Sequence, residues 1–484
     1  MNTRRDFLKE TVMLPLMGMT APRDESSLVK PKPFVHLHVR SHFSHSRGAC
    51  GIQELVERTK LLGMSAVALT DRGNLFGAIA FYRAAKRAGI KPVCGLELLV
   101  TPHLRHQNHS SSAVQQRGFP VTLLAKNRVG FKNLQQLATA QCTRGDQRNG
   151  PVAVGKETLM ARAAGIICLS GGVESEVYGA LLSKQFRKAK LIAGWHQKIF
   201  GNRYYIEVQR TGRTDQDRVA DALYELAQRT GIPPVATSDV RYVAPEGFEA
   251  VTVLDALTTG RQMPELYERQ QPAHESHLLS PEEMYQRFAD HPDIVERSQL
   301  IAGGIDLDLG RTPRRVVAAR SIGDRGETAT EGGTTHVARA RMLVRHPPRA
   351  LLRTVCHVLG QECEEADKIA DLIPEQYCGT LQEAVNTIEA VRAAYTQSSR
   401  VQRIFDLAIL VEGKFNLLVP DSHKVLVGHK PLSGYVPLAT RDGCVFAQWD
   451  TNDIPADARA RIEVLSVPRT KQERPRSHSR RAQR

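Results

Sequence analysis

Residues Phe34–Val100 open FVHLHVRSHFS, continue through SAVALTDRGNLFGAIAFYRAAKRAGIKP and close on VCGLELLV. The pattern alternates twice. A short apolar run at Val35–Val39 precedes a helical segment over Gln53–Leu62, with Leu55, Val56 and Leu62 on one face. The run Ala66–Leu69 then ends in the polar turn Thr70-Asp71-Arg72-Gly73-Asn74. A second helical pattern, Phe76–Ala88, stops at Gly89, and a third strand runs to Glu97. Strand, helix, strand, helix and strand with short connections predict parallel strands and right-handed crossovers. Polar residues fall at the C-terminal strand ends, where such folds place their chemistry.

This stretch resembles the start of the PHP domain (polymerase and histidinol phosphatase) of the bacterial DNA polymerase III alpha subunit. That family reads HLHVHSxxS and then LTDHGNLxGAxxFYxAAxxAGIKPxxGxE. The resemblance continues at Val121–Lys126 with GFKNL after it, and at Val235–Tyr242, which is similar to ATNDVHY. Further strands are expected at Gly165–Gly172 and Arg203–Arg210, a helix at Asp215–Gly231, and the exit from the region at Ser280–Asp293. The resemblance implies an α/β fold, a distorted βα (TIM-like) PHP barrel over 34–300. Such a barrel gathers His, Asp and Glu around two or three metal ions, Mn, Zn or Mg, that activate water against phosphoesters.

Carried over residue by residue, that metal site is incomplete. His38 matches the first His of the HxH pair, but the second position is Arg40. Asp71 matches the Asp of TDHGN, but its His is Arg72. Glu97 matches the bridging Glu, and Glu207 is a further remnant. Pro120 and Thr211 stand where two more His are expected, and the final DxH pair keeps Asp239 but replaces its His by Arg241. A guanidinium has no lone pair and stays protonated, so it cannot ligate a cation. The three arginines are expected either to neutralise the remaining carboxylates or to form an anion pocket. A metal-poor or metal-free site follows from either arrangement.

The polymerase constellation is also broken. The family uses three Asp to hold two Mg²⁺ and a GRGSAA-type loop to cradle phosphates; that loop is absent from this sequence. Asp306-Leu307-Asp308 resembles DxD, but it follows IVERSQLIAGG, where the family has a non-catalytic element. Glu463 occupies the third-Asp position with no LGL after it.

Composition frames the rest. The 484 residues carry a net charge of +15, which suits a polyanionic partner or simply an Arg-rich proteome. Part of that excess lies in Arg469–Arg484, where seven Lys or Arg face one Glu. The eight cysteines show no CxxC, which suits a reducing cytoplasm. Thr3–Lys9 (TRRDFLK) resembles a twin-arginine export motif, so a periplasmic address is the alternative. His103, His106 and His109 recur in a polar loop at 101–118, read as solvated. The organisation expected is a leader at 1–33, the PHP domain at 34–300, a linker at 301–340, a mainly helical α+β palm/fingers-like fragment at 341–465, and a basic tail at 466–484. The second half is expected to be marginally stable, because the core partners of such fragments are missing.

The function expected is that of a polymerase III alpha-like PHP-domain protein linked to DNA replication or repair. It has an impaired metal site and no polymerase activity, with weakly bound DNA and replication or repair proteins as partners and no membrane span. One alternative is a metal-dependent phosphoesterase or 3′–5′ exonuclease using His38, Asp71, Glu97, Glu207 and Asp239. Another is an exported protein of unrelated role.

Overall fold

Six strands are neighbours in the order in which the chain makes them: β1 (Ala66–Leu69), β2 (Lys91–Val100), β3 (Phe119–Ala125), β4 (Ile166–Leu169), β5 (Tyr204–Gln209) and β6 (Pro234–Thr237). β1 is parallel to β2, and β4, β5 and β6 are parallel to one another. β3 runs antiparallel to both its neighbours, which is where the barrel departs from regular βα winding. The computed structural model describes residues 33–44, 47–102, 118–143, 152–212, 216–263, 275–310, 330–331, 334–360, 363–428 and 430–466. The export motif, the histidines of the 101–118 loop, much of the 301–340 stretch and nearly all of the basic tail lie outside these residues.

Val35–Val39 is an extended segment rather than a regular strand, because it serves two sheet edges at once. On one side the amides of Ala68 and Thr70 donate to the carbonyls of His36 and Val39, each at 2.8 Å. On the other, the Arg40 amide donates to the Val240 carbonyl at 2.9 Å and the Val240 amide to that of His38 at 3.2 Å. The segment thereby joins β1 to the residues after β6 and curls the sheet into a distorted α/β barrel. Its apolar side chains, Phe34, Val35, Leu37 and Val39, are all buried.

Helices α1 (Ile52–Leu61) and α2 (Ala78–Ala88) cover this part of the sheet, and α3 (Arg128–Thr143) follows β3. α2 buries Ile79, Phe81, Tyr82 and Ala85 and stops at Gly89, whose φ of +77° closes the helix without a Cβ clash. All four residues of β1 are buried, as expected for a strand covered on both faces.

The second half forms a mixed sheet in the order β9-β10-β7-β8-β11: β7 (Val337–Arg345), β8 (Asn416–Gly428), β9 (Leu438–Arg441), β10 (Cys444–Ala447) and β11 (Ile462–Ser466). Between β7 and β8, helices including Pro348–Val358 and Ser399–Val411 share a core with Gly247–Thr259, a helix of the first half. The sheet is seated on the barrel. Trp449 is fully buried, stacks on Phe131 with ring centroids 6.0 Å apart, and donates its indole N–H to the Leu75 carbonyl at 3.0 Å. The Gln448 side-chain oxygen accepts the Leu75 amide at 2.8 Å. The second half is therefore not short of packing partners: the barrel supplies them, and Pro33–Arg484 is one compact unit. Asp308 of the DxD-like triplet makes a structural contact, its carboxylate accepting the Tyr82 hydroxyl at 3.0 Å. Among the described residues, no helix is long and apolar enough to cross a membrane.

Candidate functional site

Local backbone pairing brings the site together. Arg72 and Glu97 form a parallel bridge, with the Glu97 amide on the Asp71 carbonyl (3.1 Å) and the Gly73 amide on the Glu97 carbonyl (2.8 Å). The bridge between Val39 and Val240 sets His38 and Arg40 beside Asp239 and Arg241. Glu207 lies on β5 and Thr122 on β3, opposite Glu97. His38, Arg40, Glu97, Glu207 and Asp239 are all buried at one end of the barrel.

His38 is held from both sides. Its Nδ1 lies 2.7 Å from Glu207 Oε1 and its Nε2 lies 3.0 Å from Glu97 Oε2. Burial disfavours the imidazolium, but the two carboxylates outweigh it, Glu207 most, and raise the pKa to about 9. His38 is therefore a cation at neutral pH. Glu207 is further tied down by the Thr237 hydroxyl at 2.6 Å and the Gln209 amide at 2.9 Å.

Arg40 is the centre of the arrangement. Its Nε donates to Glu97 Oε2 at 2.7 Å, and a terminal nitrogen donates to Asp239 Oδ1 at 2.5 Å. Asp239 also accepts from Arg241 Nε at 2.8 Å. Burial pushes Asp239 up, yet Arg241 and Arg40 hold it well below the usual carboxylate range. Burial likewise opposes ionisation of Glu97, and Arg40, Arg72 and His38 overcome it to hold that carboxylate well below its ordinary value. The Arg72 contact to Glu97 Oε1, 3.2 Å, is an ion pair without hydrogen-bond geometry.

A further carboxylate, Glu174, lies in the turn after β4 and accepts from Arg72 at 2.6 Å and from Arg47. Burial acts against its charge, but Arg72 and Arg47 hold its pKa at about 2. Sequence reading picked out neither Glu174 nor Arg47. The available signal for Glu174 was a charged residue two positions after the Gly171-Gly172 pair at a strand end.

Asp71 stands apart from the ion pairs. It accepts the Ser41 amide at 2.7 Å and the Ser44 hydroxyl at 2.6 Å, and burial pushes its pKa up to about 6 against these bonds. Thr211 turns away to Gln216, whose side-chain oxygen accepts its hydroxyl at 3.2 Å. Pro120 pairs with Leu99 on the β3 ladder. Glu463 is exposed on β11 opposite Val427.

Comparison with known proteins agrees with this architecture. Residues 36–211 match the family model of the PHP domain, and residues 304–465 match that of the bacterial DNA polymerase III alpha NTPase domain. The chain is a polymerase III alpha-like PHP-domain protein. It is 34% identical over 273 residues to the DNA polymerase III subunit alpha of Borreliella burgdorferi, covering 56% of this chain and 24% of that one. It is 37% identical over 270 residues to the same subunit of Treponema pallidum, covering 56% and 23%. The chain thus spans about a quarter of the length of the curated relatives it matches. A solved amidohydrolase from Chromobacterium violaceum covers 43% of this chain and 87% of its own at 17% identity and a TM-score of 0.28, a likeness too slight to carry weight.

PHP domains imply a metal centre, and this donor set does not fit one. Both ring nitrogens of His38 are already engaged by carboxylates, Glu207 at 2.7 Å and Glu97 at 3.0 Å. Arg40 fills the space between Glu97 and Asp239, the two carboxylates a cation would have to share. Among the described residues, no group of three or more His, Cys, Asp or Glu is disposed to hold a metal ion.

Proposed function

We propose that this PHP-domain protein serves DNA replication or repair as a metal-free binding and scaffolding component, acting in the cytoplasm on nucleic acid and replication proteins. The carrying observation is the Arg40 guanidinium bridging buried Glu97 and Asp239, a fixed internal cation where hydrolysis would need exchangeable ones. Four cations (His38, Arg40, Arg72, Arg241) meet Glu97, Glu207, Asp239 and Glu174 in pairs that satisfy each charge. The site stabilises the barrel and leaves no coordination position to polarise a phosphoester. Exposed Glu463 gives no support to nucleotidyl transfer, and the net charge of +15 supports a nucleic-acid partner. The alternative of a phosphoesterase or exonuclease requires a cation among three guanidiniums.

The test is metal content. Unchelated protein analysed by mass spectrometry should hold well under one Mn, Zn or Mg per chain, and its melting temperature should not respond to chelator. Two or more ions per chain, with hydrolysis of a DNA 3′ end, would overturn the reading in favour of the enzyme.

A further inference from the structure

Between Glu176 and Glu207 the chain contains no acidic residue. Inside that window lies the helix Phe186–Phe200, preceded by Lys184 and carrying Arg187, Lys188, Lys190 and Lys198. Ala189, Ile192, Ala193, His196 and Phe200 are buried against the barrel, so the opposite face is held rigidly outward. All five cations are exposed, and among the described residues none lies within ion-pair distance of a carboxylate. Exposed Arg128 and Arg403, by contrast, each meet an Asp or Glu, and exposed cations elsewhere without an ion pair among the described residues, such as Arg87 and Arg162, lie on other surfaces, whereas here five fall within fifteen residues. Leu191, 69% exposed, sits among these cations.

Helix stability does not explain this face. Three cations in the first turns oppose the helix dipole, which favours Asp and Glu there. Nor does the helix gain support from intrahelical i,i+4 salt bridges, since it has no acidic residue to form them. We propose that the outer face of Phe186–Phe200, with Lys184, docks the phosphate backbone of nucleic acid; the idea rests on the nucleic-acid reading above but concerns a surface separate from the arginine-filled site.

Two considerations favour nucleic acid over an acidic protein. From Arg187 to Lys198 the helical cations extend over about 17 Å at ~1.5 Å per residue, comparable to about five phosphates spaced ~3.4 Å along one strand. Leu191 is the one large apolar side chain of Phe186–Phe200 in the exposed class, whereas a protein interface gathers an apolar core.

The experiment uses the full chain and fluorescence anisotropy with mixed-sequence single-stranded and duplex DNA across a salt series. One variant carries Lys184→Gln, Arg187→Gln, Lys188→Gln and Lys190→Gln. A charge-matched comparison carries Lys60→Gln, Arg87→Gln, Lys132→Gln and Arg162→Gln, four exposed cations on other surfaces. Circular dichroism confirms that both fold. The first variant should bind at least about tenfold more weakly, and its log–log salt slope on duplex should flatten by roughly 3–4, near 0.9 per lost contact. The comparison should stay within about threefold of the parent, since its cations contact no phosphate. An unchanged slope in the first variant, or equal losses in both, overturns the proposal while leaving DNA binding itself in place. Loss of polyglutamate binding without loss of DNA binding assigns the face to an acidic protein and also overturns it. A parent protein that binds neither DNA removes the proposed function as well.

Discussion

Replacing Arg40 by Leu removes the cation shared by Glu97 and Asp239 and leaves a shorter apolar side chain in its place. Both carboxylates are buried, so neither recovers water as a partner. Taking one member from a buried ion pair costs about 3–5 kcal/mol. Glu97 keeps His38 and Arg72, and Asp239 keeps Arg241, which places the expected loss near the lower end, about 3 kcal/mol. At ~2.1 cal/mol/K of unfolding entropy per residue, a unit the size of Pro33–Arg484 shifts by roughly 1 °C per kcal/mol, so the melting temperature should fall by about 3 °C at pH 7.

The pH dependence carries a second signature. In the parent, Glu97 and Asp239 have folded pKa values below their unfolded ones, so their contribution is present above about pH 4 and is lost as pH falls further. Without Arg40 their folded values rise, which destabilises the fold at neutral pH and is relieved on acidification. The gap between the two proteins, measured by calorimetry, should therefore be widest at pH 7 and narrow toward pH 4. Adding Glu97→Gln and Asp239→Asn to the Leu variant should restore part of the loss, because no orphan charge then remains. A loss under about 1 kcal/mol, or a gap that widens on acidification, would refute this account of the site.

Two further outcomes follow. The His38 ring, followed by NMR, should titrate near pH 9; its stabilising contribution is complete below pH 6.5 and is lost as pH rises from there to about 9, and titration at 6.5 or lower would contradict the pairing with Glu207 and Glu97. Trp449→Ala should cost about 3–5 kcal/mol and speed proteolysis within 337–466, since it removes the Phe131 stack and the Leu75 bond; unchanged proteolysis would mean the second half does not depend on this seat.

Much of the barrel was legible because its signals are local. The run Ala66–Leu69, the stop at Gly89 and the strand through Glu97 each declare themselves within a few residues. Val35–Val39 was less plain, since its partners are Ala68, Thr70 and Val240, and pairing at such separations leaves no periodic trace. The site followed the same division. His38, Arg40, Glu97 and Asp239 came together as their motif positions implied. Arg72, next in sequence to Asp71, pairs instead with Glu97 and with Glu174, the latter a pairing between two loops that no local pattern announces. The seat of the second half was hidden for a similar reason: Trp449 and Leu75 are far apart in sequence, and neither residue type announces the other.

The interlocked charges around Arg40 also bear on how such a centre changes over generations. Each partner is shared: Glu97 serves His38, Arg40 and Arg72, while Asp239 serves Arg40 and Arg241. Changing any one of these arginines to histidine leaves two guanidiniums that repel an incoming divalent ion, and it exposes a carboxylate to the cost of an unmatched charge. Single substitutions here are therefore penalised in stability, whereas a concerted change of several partners avoids the orphaned charge. The centre resists change one residue at a time.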